Sequence, residues 1–237
     1  MAKVLAVIPA RGGSVRVERK NVKLLDNKPL ISYAIRVARD SKCFDRVIVS
    51  TDDANIKKVA EEYGAEVPFF RPKKLSGDCP TEDVVLHAVE WLDKYESYHP
   101  DIVVCLEPPL PFRTSKHIKD CLRELDDQDI DSAVTISPVT ERPEWMVTLK
   151  DDMRLKPYTS YFANVVGTIM KFPASQEFES LYYVNGLVFA CRVRTLLKCK
   201  SLVGIRCVGV ITDKDDAFSL DWPIDFLICE MMMKERE

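Results

Sequence analysis

The chain of 237 residues contains no CxxC pair among its 8 cysteines, no grouping among its 3 histidines, and no internal repeat or low-complexity tract. Neither a zinc site nor a disulfide framework is therefore expected. Cys105, in the apolar run IVVCLE, and Cys207, in IRCVGV, exemplify scattered thiols expected to be buried and reduced. A basic excess is also missing. With 34 Lys and Arg against 37 Asp and Glu, the formal charge is -3, which argues against a general nucleic-acid binder and makes any anion site local. No apolar stretch approaches bilayer length, and no charged-then-apolar leader precedes the first strand signal, so the reading expects a cytoplasmic protein without a membrane partner. The GxGxxG spacing of dinucleotide folds and the GK[ST] ending of P-loop NTPases are absent, which removes the main support for dehydrogenase and kinase readings.

What is present is concentrated at the start. The apolar run Val4-Leu5-Ala6-Val7-Ile8 ends at Pro9 and opens into a loop carrying Gly12, Gly13, Arg11, Arg16, Arg19 and Lys20, opposed only by Glu18. This pattern reads as a buried strand emptying into an anion-holding turn, because glycines let backbone N–H groups approach a polyanion and the cations supply charge. Solvated loop cations are the competing explanation.

Along the chain, strand signals at Val4–Pro9, Arg46–Ser50, Glu66–Phe70, Ile102–Glu107 and Ser132–Ile136 alternate with helical periods at Leu30–Ser41, Asp53–Tyr63, Thr81–Tyr95 and Ser115–Leu125. Thr81 is read as a capping residue. The series predicts an α/β fold with a mainly parallel sheet covered by helices, in one large domain. After Pro138 the rhythm breaks, and residues 139–181 read as an inserted hairpin or arm rich in Pro, charge and exposed-looking aromatics (Trp145, Tyr158, Tyr161, Phe162). Strands at Tyr183–Cys191 and Gly204–Thr212 and a closing helix at Trp222–Lys234 complete the core. The division is thus 1–138, a nucleotide-binding part; 139–181, an inserted arm for dimerisation; and 182–237, completion of the core sheet and closing helix. His87, His99 and His117 are read as surface or satisfied histidines, Trp91, Trp145 and Trp222 as core or interface aromatics, and Met231-Met232-Met233 as the buried face of the last helix.

Several blocks share an order with a known family. PARGGS…RKN (from Pro9 to Asn21) followed by Asn27-Lys28-Pro29-Leu30, VSTDD (Val49 to Asp53), EVPFFRP (Glu66 to Pro72), the segment Leu75 to Asp78 leading into Thr81, CLEPPLPFR (Cys105 to Arg113), Gln176…Tyr182…Asn185-Gly186, and SLDWPID (Ser219 to Asp225) together span nearly the whole chain. This arrangement resembles the acylneuraminate (CMP-sialic acid, nonulosonic acid) cytidylyltransferases, a branch of the sugar nucleotidylyltransferases. The resemblance implies a Rossmann-like nucleotidyltransferase sheet with a small dimerisation arm. It also implies transfer of CMP from CTP to an acidic nine-carbon keto sugar of the sialic, pseudaminic or legionaminic type, releasing pyrophosphate, in a homodimer.

The resemblance assigns Lys20 and Arg11 to catalysis, and Ala10, Arg11, Gly12, Gly13, Ser14, Lys20, Asn21, Arg71 and Asp78 to the nucleotide. The acceptor falls to Glu107, Gln176, Tyr182 and Asn185. Mg²⁺ takes oxygen ligands, which makes Asp221 the natural protein ligand, with Asp225 one turn later as a partner. An ordinary N-cap competes for Asp221 and a cap-adjacent carboxylate for Asp225. Four positions depart from the family pattern. Val15 stands where a lysine is usual, with Arg16 beside it to replace the charge. Ser219 stands for an acidic residue, Glu107 for a glutamine and Ser175 for an arginine. These leave open a protein of the same fold that binds nucleotide with lost or altered catalysis, or a related nucleotidyltransferase with a different acceptor.

Overall fold

A computed structural model describes residues 2–159 and 179–236. In chain order its strands are Val4–Pro9 (β1), Leu24–Leu25 (β2), Lys28–Pro29 (β3), Arg46–Ser50 (β4), Ile102–Cys105 (β5), Ser132–Pro138 (β6), Val147–Leu149 (β7), Leu155–Pro157 (β8), Tyr182–Arg192 (β9) and Cys207–Ile211 (β10). The helices are Leu30–Ser41 (α1), Ala54–Glu62 (α2), Thr81–Glu96 (α3), Ser115–Glu124 (α4), Val193–Cys199 (α5) and Pro223–Glu235 (α6). The central sheet has the order β10-β6-β9-β5-β1-β4. Strand β1 is paired in parallel on both sides, with Leu5 opposite Arg46 of β4 and Val103 of β5. Strand β10 is parallel to β6, whereas β9 runs antiparallel to β5. The sheet is mainly parallel, with one reversed strand that periodicity alone does not distinguish.

The lack of polar alternation in β1 follows from its covering on both faces. Successive side chains of a strand point to opposite sides, so Ala6 and Ile8 enter one core with Ile31, Ala34 and Ile35 of α1, Ile56 of α2 and Ile118 of α4. Leu5 and Val7 enter a second core with Val85, Val89 and Leu92 of α3 and Leu196 of α5. Leu5, Val7 and Ile8 are wholly buried, which stabilises the strand by about 1.5–3 kcal/mol for each. A third cluster joins Val17, Leu25, Leu30, Phe112, Leu220, Phe226 and Cys229. It holds the segment after β1 against the β2–β3 turn and α6, so a glycine-containing loop is fixed at both ends by apolar packing.

Some sequence expectations change. Glu66–Phe70 is not a strand: only the isolated bridges Ile48↔Glu66 and Thr51↔Phe70 form, on either side of Pro68, which has no N–H to give a ladder. Thr81 is not a cap, because Pro80 occupies the position before α3 and the Thr81 hydroxyl bonds elsewhere. Helix α5 carries no clear period in the sequence. Met231 is exposed rather than on a buried face, and of the core-or-interface tryptophans Trp222 is exposed and outside the core, while Trp91 packs beside Phe69. The described cysteines are all free, and burial pushes the thiols of Cys121, Cys191 and Cys229 up to about 12.

By internal contacts the chain divides into two units, Met1–Ile136 with Val184–Glu237, and Ser137–Tyr183. The second contains the β7–β8 hairpin, whose Val147, Leu149 and Leu155 are exposed. Of the residues assigned from sequence to the arm and acceptor, Tyr161, Phe162, Ser175 and Gln176 lie outside the described residues. No helix among the described residues is long and apolar enough to cross a membrane.

Candidate active site

The end of β1, the loop that follows it and the residues after β5 line a cleft of about 720 Å³. This is within the range of small-molecule sites, and it lies where the carboxyl ends of parallel strands deliver their loops. Arg11, Gly13, Ser14, Val15, Arg16, Lys20 and Asn21 form one wall; Arg71, Ser76, Gly77, Asp78 and Cys79 another; Thr81, Glu107, Pro108 and Pro109 a third; and Asp221 closes it.

The first loop is held open by its backbone partners. Gly12 N–H donates to Asp52 Oδ1 at 2.8 Å, and a Cβ on Gly12 would lie 2.9 Å from the Asp53 side chain, too close without movement. Asp53 cannot yield easily, because its Oδ1 caps α2 by accepting from the N–H groups of Asn55 and Ile56. Gly13 has open space around it and faces the cleft. Buried Asn21 donates from Nδ2 to Arg11 O at 2.9 Å, bracing the far side of the loop. The Arg11 guanidinium in turn donates to Gly77 O, tying the first wall to the second.

Arg71 is buried, and its guanidinium donates to Ser50 Oγ and Ser50 O at the end of β4; burial lowers it from the usual arginine range. Arg113 is buried too, pushed down to about 10 by burial, and donates to Leu187 O and to Glu107 O. It thereby fixes the backbone that presents Glu107. The Glu107 Oε1 accepts from the Thr81 hydroxyl at 3.1 Å.

At the closing side, Lys20 Nζ donates to Leu220 O at 2.9 Å and to Asp221 Oδ1 at 3.2 Å. Ser219 Oγ donates to the other oxygen, Asp221 Oδ2, at 3.0 Å, and Arg16 stands 3.8 Å from Oδ1. Burial alone would raise the Asp221 carboxyl; the charge and hydrogen bond of Lys20, with Ser219 and Arg16, outweigh it and hold the group below the ordinary carboxylate value. Asp221 is not the N-cap of α6. Trp222 has that place, and Asp225 Oδ2 does the capping, accepting from the N–H groups of Asp221 and Trp222 at 2.7 Å each.

The structure thus brings Arg11, Gly13, Ser14, Lys20, Asn21, Arg71, Asp78, Glu107 and Asp221 to one cleft. Ala10 is buried with its N–H on Ser50 O, and Ala10, Gly12 and Asp225 do not line the cleft. Asn185 uses its amide within the fold, donating to Thr212 Oγ1 and accepting from Leu187 N–H, and Tyr182 belongs to the other unit. Sequence reasoning misses the loop-bracing role of Asp52, the tether from Thr81 and the cation-facing Trp222. The VSTDD block marked Asp52 without indicating its partner. Among the described residues no three His, Cys, Asp or Glu side chains converge as a metal-holding group. Asp221 offers a half-buried oxygen donor held below the ordinary carboxylate value on the cleft wall, where Asp78 and Glu107 are the other lining carboxylates among the described residues. That donor fits Mg²⁺, which commonly takes one or two carboxylates and completes its shell with substrate phosphates and water.

Residues 5–198 match the family model for cytidylyltransferases. The CMP-N,N'-diacetyllegionaminic acid synthase of Legionella pneumophila is 30% identical over 241 residues, covering 98% of this chain and 97% of that protein. The N-acylneuraminate cytidylyltransferase of Escherichia coli is 30% identical over 225 residues, covering 94% of this chain and 50% of that protein. Among solved structures, a CMP:2-keto-3-deoxy-manno-octonic acid synthetase complexed with CTP superposes with a TM-score of 0.71 over 100% of both chains at 18% identity, a likeness of fold.

Proposed function

This chain belongs to the cytidylyltransferase family, and from that premise we propose that it transfers CMP from CTP to an acidic nine-carbon keto sugar of the sialic, legionaminic or pseudaminic type. The observation that carries the reading is the convergence of Arg11, Lys20 and the open Gly13–Ser14 backbone on one cleft opposite the Asp221 carboxylate. A hydroxyl oxygen of the acceptor attacks the α-phosphorus of CTP and loses its proton to solvent, a new P–O bond forms, the bond to the oxygen bridging the β-phosphate breaks, and pyrophosphate leaves with that oxygen. Charge grows on the phosphate oxygens as this happens, so the chain's work is to orient the triphosphate and neutralise that charge. Lys20 is the cation at the α-phosphate, and Arg11, Ser14 and Asn21 position the remainder. Arg71 and Asp78 face the nucleotide. Glu107 faces the acceptor, and Tyr182, Asn185 and Gln176 belong to that side by family resemblance.

Asp221 would hold Mg²⁺, with Asp225 fixing the turn that presents it. When bound, the ion supplies neutralising charge to the phosphates. Ser219 stands where a second carboxylate is usual and leaves Asp221 as the cleft's closing acidic ligand. A homodimer formed through residues 139–181, in the cytoplasm, completes the reading; free cysteines and the exposed apolar side chains of the β7–β8 hairpin support it.

The test mixes the protein with CTP, Mg²⁺ and a panel of keto-sugar acids and measures pyrophosphate. Release with at least one nine-carbon acid, abolished by chelator, is the expected result. Binding of CTP with no pyrophosphate from any acceptor would instead establish a nucleotide-binding protein of the same fold, and release with other acids alone would establish a different acceptor.

A further inference from the structure

We propose that Arg16 supplies the triphosphate-binding charge that the loop lacks at Val15, with Trp222 as the residue that positions it; this rests on the nucleotidyl-transfer reading above. Val15 is 88% exposed at the rim of the cleft, where an apolar side chain gains nothing from burial and offers no charge. Arg16 lines the same cleft. Its guanidinium lies 5.3 Å from the centre of the Trp222 ring, and Trp222 is itself 56% exposed, an unusual place for a large aromatic unless its face is used. Stacking occupies the flat face of a guanidinium and leaves the N–H groups at its edge free to grip oxygens in pairs.

The contact with Asp221 does not use up that capacity. At 3.8 Å, with both side chains substantially exposed, the ion pair is weak, and Asp221 Oδ1 is already engaged by Lys20 at 3.2 Å. One carboxylate between two cations leaves positive charge in surplus, directed into the cleft. A guanidinium that is aimed by a ring, half in solvent and loosely paired is released at little cost when a polyphosphate arrives. One residue along from Val15, Arg16 still lines the cleft, with its guanidinium over the Trp222 ring.

Calorimetry with CTP, inorganic tripolyphosphate and cytidine on the full chain tests this. Arg16→Ala is expected to weaken CTP and tripolyphosphate by about 10- to 100-fold while leaving cytidine unchanged. Adding Val15→Lys to Arg16→Ala should recover most of the loss, and Trp222→Ala should show a smaller loss of the same kind. Wild-type affinity for CTP and tripolyphosphate in Arg16→Ala overturns the proposal and leaves the enzyme reading standing. An equal loss for cytidine, or no recovery with Val15→Lys, also overturns it, since either would mean a collapsed loop rather than a missing charge. A wild-type protein that binds neither CTP nor tripolyphosphate overturns the nucleotidyl-transfer reading and this proposal with it.

Discussion

Lys20 is anchored rather than waving in solvent: its ammonium donates to a backbone carbonyl and a carboxylate from a segment two hundred positions away. Removing one preorganised donor aimed at developing negative charge costs about 10²–10³ in turnover. Lys20→Ala should therefore lose at least that much in kcat, while its melting temperature stays near that of the wild type because the pair with Asp221 is partly exposed. Steady-state kinetics beside a thermal melt reads both, and near-wild-type kcat removes Lys20 from the mechanism. His117 gives the pH prediction. Burial lowers it, Asp216 pulls it up, and Arg113 and Lys116 push it down again, leaving it below its ordinary value of 6.5. Its Nδ1 accepts from Thr114 N–H, so the native state holds it neutral. The unfolded chain then binds the extra proton first, and stability is complete above about pH 6.5 and declines as pH falls toward the native value. Urea midpoints should drop between pH 7 and 5.5, and His117→Gln should flatten that slope; an unchanged slope assigns the effect elsewhere, for instance to His87, which burial also lowers. At this scale Arg11 and Lys20 were legible because glycines and cations crowd one short stretch. Asn21 too was named from the sequence, without its bond to Arg11 O; Asp52 and Arg113 were not, since they act by bonds to backbone atoms that the sequence leaves unspecified.

Among the elements, the loop after β1 depends on a collision avoided. Gly12→Ala would drive a methyl group into the capping side chain of Asp53, so either the loop or the start of α2 has to shift. A stability cost of about 1–3 kcal/mol is expected, with weaker CTP binding than in the wild type. Chemical denaturation together with calorimetry measures the pair, and an unaffected CTP affinity would mean that the loop tolerates the displacement. Strands β1 and β4 and helix α1 were readable to the residue, because continuous apolar runs and a strong helical period have no rival local structure. The segment Glu66–Phe70 was misread because its β-rich composition hides a proline in the middle. The direction of β9 depends on pairing partners far along the chain, to which a local pattern is blind.

For the molecule as a whole, the β7–β8 hairpin exposes Val147, Leu149 and Leu155 with Trp145, Met146, Met153 and Tyr158 in the same unit. Large apolar side chains left in water at this density mark an association surface. Sedimentation at micromolar concentration should give a dimer, and Leu149→Ser with Leu155→Ser should shift it toward monomer; a wild-type monomer counts against the arm. The rhythm of the sequence breaks after Pro138, close to where the second unit begins at Ser137, and the homodimer expected from the arm's aromatics is what sedimentation tests.

Strands β6 and β9 lie side by side in the sheet, yet the whole stretch 139–181 separates them in sequence. The excursion thus leaves and returns at neighbouring points of the sheet. Because its two ends sit on adjacent strands, a longer or shorter excursion closes the same short gap, and its length adds little to what the sheet must spend on holding those ends together.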